Sequence, residues 1–213
     1  MTQNVSDRSP ISLAVLISGS GTTLQNFIDR IADGQLRARI VLVIASRPGI
    51  AGIERAQRAG LPVKIVERKK FDSVAAFSEE IFSLCDQASA DLICLAGWLS
   101  LLKIPESAAG RVMNIHPSLL PKFGGKGMYG HHVHQAVLDH HDDISGCTVH
   151  YVDNSYDNGP VILQRTCPVL PNDTATSLAH RVFEEEKLAY PKAISLHQAG
   201  KLQIVGGRVQ IRD

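Results

Sequence analysis

Three runs of the chain, Leu13–Ile17 (LAVLI), Ile40–Ala45 (IVLVIA) and Asp91–Gly97 (DLICLAG), are apolar at nearly every position instead of every second one. A strand that is apolar on both faces must be covered on both faces, and such strands belong to parallel sheets flanked by helices. Segments of helical period lie between them: Thr22–Gly34, Gly52–Gly60 and Ser73–Gln87, with a short strand expected at Pro62–Val66. This alternation predicts an α/β fold, a Rossmann-like doubly wound and mostly parallel sheet.

The texture changes after Val112. Short strands are expected at Val112–Ile115, Cys147–Val152 and Val161–Val169, joined by long loops rich in Gly and His. A last helix is expected from Thr174 to His197, interrupted or kinked at Pro191. Lys201–Arg212 reads as a hairpin turning at Gly206-Gly207. With 213 residues, 44% of them hydrophobic, one domain is the economical reading. Residues 1–11 are expected to be a flexible tail, 12–110 a phosphate-binding half and 111–200 the half that carries the chemistry.

A net charge of +1 argues against a nucleic-acid binder. No apolar stretch reaches bilayer length. The polar start, MTQNVSDRSP, has neither a basic nor an apolar targeting region, so a cytoplasmic protein is expected. Cys85, Cys94, Cys147 and Cys167 show no CxxC spacing and read as reduced, mostly buried small hydrophobes.

Gly19 and Gly21 fall directly between the first strand and the first helix. Glycines let backbone approach an anion, and a helix N-terminus offers unpaired N–H groups. Ser20, Thr22 and Thr23 add hydroxyls. The third glycine of a dinucleotide fingerprint is absent, and no acidic residue ends the second strand. The turn therefore suits a single phosphate better than NAD, although a purely structural turn would also tolerate Gly-Ser-Gly.

In the second half, Asn114, His116, His150 and Asp157 fall at the ends of short strands, where open α/β sheets border their ligand crevice. Asn is a neutral donor for a developing oxyanion, His takes or gives a proton near neutrality, and a carboxylate in reach stabilises the imidazolium. Together they suit attack on a carbonyl carbon without a covalent intermediate. No nucleophile elbow such as GxSxG is present. A structural His and a turn Asp before Asn-Gly remain the bland alternative.

The segments ISGSGTTLQ, NIHPSLLPKF, GCTVHYVDNSYDNGPVILQ and RVFEEEKLAYPKAI, in that order, resemble the successive signatures of the phosphoribosylglycinamide formyltransferase family. The resemblance implies transfer of the formyl group of 10-formyltetrahydrofolate to the amine of glycinamide ribonucleotide in purine synthesis. It implies Asn114 and His116 on the tetrahedral oxyanion, Asp157 holding His116 and moving protons, and His150 in support. It places Gly19, Ser20, Gly21, Thr22 and Thr23 on the substrate phosphate, with Glu186 on the ribonucleotide and Lys187, Leu188 and Ala189 beside it. Leu99, Ser100, Leu101 and Leu102, with Asp153, Asn154, Ser155, Tyr156 and Asp157, would wall the folate site, which Asn114 also borders. Small-molecule substrates, no metal, no nucleic acid, no membrane and a monomer or homodimer are the corresponding expectations.

The chain departs from that pattern in places. Val74 stands where many members of the family have an Arg, and Leu99-Ser100-Leu101-Leu102 where many have Met-Arg-Ile-Leu, which predicts a weaker or rearranged grip on the folate. The loop Lys122–His134 is longer and richer in Gly and His than the common form, and Lys126 or Tyr129 is expected to reach the site. His131, His132, His134, His140 and His141 match no zinc spacing and read as surface or loop-ordering residues. A hydrolase releasing formate from the same folate would use the same trio; the phosphate turn favours the transferase. So does the leader of about a dozen residues, too short for a regulatory domain. A non-catalytic nucleotide-binding module would not need the trio intact. A formyltransferase acting on a sugar nucleotide or charged tRNA would be expected to carry a further downstream domain.

Overall fold

The computed structural model describes residues 9–212. Seven strands form one sheet: β1 (Ile11–Ile17), β2 (Ala38–Ala45), β3 (Val63–Ile65), β4 (Leu92–Leu95), β5 (Val112–His116), β6 (Ile144–Tyr151) and β7 (Val161–Pro168). Their spatial order is β3-β2-β1-β4-β5-β6-β7. The first five run parallel, and β6 and β7 are antiparallel additions. Five helices connect them: α1 (Thr22–Ala32), α2 (Ala51–Arg58), α3 (Val74–Gln87), α4 (His131–Asp139) and α5 (Ala175–Gln198). A separate hairpin, β8 (Leu202–Val205) with β9 (Arg208–Ile211), turns at Gly206-Gly207 as expected. The predicted α/β class and mostly parallel sheet are what the chain forms.

The period of two along β1 divides the core. Leu13, Val15 and Ile17 pack with Phe27 of α1 and Tyr190 of α5, whereas Ala14 and Leu16 face Phe77 and Ile81 of α3. All nine are fully buried. Both faces of β1 must therefore be apolar, which is why its sequence does not alternate. β1 starts at Ile11, paired with Ala38, so the strand begins two residues before the LAVLI run and takes in part of the predicted tail; residues 1–8 of that tail lie outside the described residues.

α5 is not interrupted at Pro191. Proline cannot donate to the carbonyl four residues back, and the Lys187 carbonyl left over accepts instead from Asn26 Nδ2 of α1, 3.2 Å away. Tertiary contact replaces the lost helical bond, so the helix runs on. One turn along, the Tyr190 hydroxyl donates to the Met113 carbonyl at 2.8 Å, pinning α5 to the strand that carries Asn114 and His116. Cys85, Cys94, Cys147 and Cys167 are buried free thiols. Burial pushes the first three up to about 12, so they stay protonated. Among the described residues no helix is long and apolar enough to cross a membrane.

Candidate active site

The β1–α1 turn has the features of an anion cradle. Gly21 sits at φ 72°, the left-handed region, and caps α1 with no side-chain hydrogen bond to the first-turn N–H groups. A Cβ there would come within 2.7 Å of the Gly52 Cα, so only glycine fits between turn and α2. A Cβ on Gly19 would meet nothing within 4 Å. Packing does not require that glycine; of the turn and first helical residues, Thr22 and Thr23 line the cavity described below, whereas Gly19, Ser20 and Gly21 do not. No acidic residue occupies the first turn of α1 to compete with an anion.

β5 and β6 bring the polar residues together by register. Asn114 lies opposite His150 and His116 opposite Thr148 in the antiparallel ladder. Asn114 and His116 are two residues apart and share a face. Asp157 comes from the loop 152–160 between β6 and β7, at φ 51°, a conformation Asp tolerates better than most residues. A Cβ on Gly159 would run into the Tyr151 carbonyl, so the loop is cinched tightly against the strand it leaves.

Asn114 Nδ2 sits 3.1 Å from His150 Nε2 and 3.4 Å from Asp157 Oδ1. His150 Nδ1 donates to the Tyr151 carbonyl at 2.8 Å, which leaves Nε2 as the acceptor for Asn114. The second Asn114 hydrogen is held only by the long contact to Asp157, so it is the one a developing oxyanion can draw. His116 is likewise fixed: Nε2 donates to the Phe123 carbonyl at 2.8 Å, and Nδ1 faces Asp157 Oδ2 at 3.4 Å. Gly125 N–H donates to the same carboxylate oxygen.

Burial pushes the His116 imidazole below its ordinary pKa, outweighing the pull of Asp157 and of the Phe123 carbonyl. Burial works to raise Asp157, but the His150 and His116 rings and the Gly125 N–H together hold it below the usual carboxylate range. At neutral pH the pair is thus a neutral ring and a carboxylate, two acceptors facing one gap, ready to take a proton.

Asn114, His116 and Asp157 border a cavity of about 820 Å³, which Thr22, Thr23, Leu99, Tyr156 and Glu186 also line. Lys126 and Tyr129 reach it as expected. A smaller space of about 50 Å³ lies between Ser100, Leu101, Leu102, His150, Asp153 and Ser155. It shares Asn114, Trp98, Tyr156 and Asp157 with the large one, so the two are contiguous. Asn154 ties these walls together, accepting from the Ile104 N–H at 2.7 Å. Lys187, Leu188 and Ala189 do not line either space. Ala189 is wholly buried, while Lys187 and Leu188 face a depression on the far side of α5, beside Asn26 and Arg30. Glu186 alone of that segment turns toward the cavity, and burial pushes its carboxyl up to about 7.

Trp98, Ala179, His180, Phe183 and Glu184 also line the cavity, and the sequence reading gives none of them a role. His134, which reads from the sequence as a surface or loop-ordering residue, lines it too. His134 is instead 4% exposed, whereas His131, His132, His140 and His141 are exposed. The helical period of α4 could have found it: His134 shares a stripe with the buried Val133 and Val137. Among the described residues no group of three His, Cys, Asp or Glu side chains could hold a metal ion.

Residues 11–194 match the formyl transferase family. The chain is 35% identical over 196 residues to phosphoribosylglycinamide formyltransferase of Escherichia coli (strain K12), covering 91% of this chain and 90% of that protein. It is 40% identical over 208 residues to the trifunctional purine biosynthetic protein adenosine-3 of Drosophila pseudoobscura pseudoobscura, covering 96% of this chain but only 15% of that protein's length. The crystal structure of glycinamide ribonucleotide transformylase 1 from Symbiobacterium toebii superposes with a TM-score of 0.89 at 40% identity, over 96% of this chain and 95% of that one. The chain belongs to the formyl transferase family, in its phosphoribosylglycinamide formyltransferase line.

Proposed function

We propose that the protein transfers the formyl group of 10-formyltetrahydrofolate to the primary amine of glycinamide ribonucleotide, a step of purine synthesis. The observation that carries this reading is the single cavity bounded at one place by the α1 N-terminus and at another by Asn114, His116 and Asp157. A phosphorylated amine fits such a space; a formyl-folate hydrolase would need the trio but not the anion cradle.

The chemistry follows from the geometry. First-turn N–H groups of α1, with the Thr22 and Thr23 hydroxyls, hold the phosphate, and Gly19 leaves it room. Glu186 holds the sugar portion. The folate enters past Trp98 and Tyr156 toward the Ser100–Leu102 wall, where a space of about 50 Å³ has to widen to admit a bicyclic ring. The amine nitrogen then attacks the formyl carbon, and the carbonyl π pair becomes the oxyanion of a tetrahedral intermediate. Asn114 Nδ2 donates to that oxygen with the hydrogen it holds loosely toward Asp157. The attacking nitrogen becomes cationic and loses a proton to the gap between Asp157 Oδ2 and His116 Nδ1. The same proton returns to the departing N10 of the folate as the carbonyl re-forms. No bond to the enzyme is made.

A spectroscopic assay with a 10-formyl folate tests the reading. Turnover is expected only when glycinamide ribonucleotide is present. Equal turnover without the ribonucleotide means that water is the acceptor and the protein is a hydrolase.

A further inference from the structure

Among the described residues three buried side-chain atoms have no hydrogen-bond partner: Trp98 Nε1, His134 Nδ1 and Ser145 Oγ. Two of the three residues, Trp98 and His134, border the 820 Å³ cavity. An unsatisfied buried polar atom is a standing cost that natural folds avoid, and its place on a residue that borders a ligand cavity points to a partner that arrives with the ligand. His134 is the sharper case. It is 4% exposed and lies on the buried face of α4 with Val133 and Val137.

Its chemistry narrows the partner. Burial, followed by the nearby His131 and His116, brings His134 down to about 4, so at neutral pH the ring is uncharged. A neutral imidazole offers one donor and one acceptor and does not select an anion. His134 lines the cavity together with Asn114 and His116 and is therefore assigned to its reacting end. The part of a phosphorylated glycinamide that occupies that end is its amide arm, with a carbonyl acceptor and an N–H donor next to the attacking amine. Nδ1 is itself buried, so it engages the ligand by rotation about χ2, which is broad and two-fold for histidine.

We propose that His134 is a substrate-binding residue that hydrogen-bonds the amide of the amine acceptor's glycinamide arm and so aims its amine at the formyl carbon. This rests on the transferase reading above. It adds a determinant of which acceptor is used: a phosphorylated sugar bearing a plain amine, with no amide, leaves His134 unpaired and is handled poorly.

The experiment compares wild type with His134→Phe and His134→Asn. Wild-type turnover that needs the ribonucleotide is established first; its failure removes the transferase reading itself. Given that turnover, His134→Phe is expected to raise the ribonucleotide KM roughly 3- to 10-fold, the effect of one hydrogen bond, with the folate KM unchanged. The same variant, without ligand, is expected to melt roughly 2–4 °C higher, because the unsatisfied ring nitrogen is gone. His134→Asn, which keeps an amide donor and acceptor near the Nδ1 position, is expected to bind the ribonucleotide closer to wild type than His134→Phe does. A merely structural histidine gives the opposite pattern, a lower melting temperature with ribonucleotide KM unmoved, and that result overturns the proposal. Should His134→Phe not fold, wild type labelled with ¹⁵N-histidine decides the matter. Saturating ribonucleotide has to shift the His134 ring-nitrogen resonances, and unshifted resonances overturn the proposal.

Discussion

Asp157 Oδ2 lies 3.4 Å from His116 Nδ1 while the other nitrogen of that ring is committed to the Phe123 carbonyl. The pair therefore has only one place to put a proton, the gap that faces the cavity. Asp157→Asn keeps the size and removes the charge, and its amide donates into a gap built to accept. The expected outcome is a fall in kcat on the order of 10²- to 10⁴-fold with both KM values near wild type. Steady-state kinetics with each substrate varied in turn checks it; an unchanged kcat takes the proton relay away from Asp157.

Asn114→Ala tests the oxyanion donor separately. The substitution also strips His150 Nε2 of its 3.1 Å donor, so a modest loss of stability accompanies the kinetic effect. kcat is expected to drop about 10²-fold or more, as for other single oxyanion donors. A kcat within a few-fold of wild type would mean the charge is stabilised elsewhere.

The two glycines of the first turn separate folding from binding. Gly21→Ala forces a side chain into the left-handed region and within 2.7 Å of the Gly52 Cα, so it is expected to destabilise the fold by roughly 1–2 kcal/mol or more. Gly19→Ala meets no protein atom within 4 Å and is expected to melt like wild type. Its methyl instead stands beside the proposed phosphate position, and the ribonucleotide KM should rise with the folate KM unmoved. Denaturation midpoints and KM values for the two variants read both effects; equal ribonucleotide affinity in Gly19→Ala and wild type would place the anion somewhere else.

How much of this was open to sequence reading depends on how local each feature is. The buried strands, the glycine turn and the pairing of Asn114 with His116 rest on neighbours within a few residues, and the sequence carries them. The continuity of α5 through Pro191 does not, because the carbonyl that proline frees is satisfied by Asn26, 161 positions away in the chain. The tautomer of His116 depends on the Phe123 carbonyl, displayed from a residue at φ 55° that no propensity would place there. His134 was misread because a cluster of histidines hides which one the helix turns inward. Lys187 and Leu188 share a segment with Glu186, but the 100° step per residue of a helix sends them to another face.

Val74 opens α3 beside the wall proposed for the folate. Its carbonyl accepts from the Ser78 hydroxyl at 2.7 Å, and that oxygen accepts from the Lys103 N–H at 2.8 Å, one residue beyond Leu102. An arginine at position 74 starts from a turn tied directly to that wall. Val74→Arg is expected to lower the folate KM with the ribonucleotide KM unchanged, and inhibition by a folate analogue should tighten in parallel. Near-identical folate KM values in the two proteins would show that the grip is complete without it.

Glu186 gives a pH signature with a definite sign. Its ordinary value is 4.5 and its folded value about 7, so the native state holds this proton more tightly than the unfolded chain does. The stabilising contribution is fully present below pH 4.5 and is lost progressively as pH rises to about 7. The residue is partly open to the cavity, which tempers the size of the effect and leaves its direction. Glu186→Gln removes the ionisation, so its melting temperature should exceed that of wild type at pH 8 and match it near pH 4. Ribonucleotide affinity should move the other way, because the ionised carboxylate is the stronger acceptor for sugar hydroxyls: wild type should bind more tightly as pH rises through about 7, and the variant should not follow. Melting curves and ribonucleotide titrations of both proteins from pH 4 to 8 carry the test. Parallel stability curves for the two proteins would mean that Glu186 titrates alike in the folded and the unfolded chain.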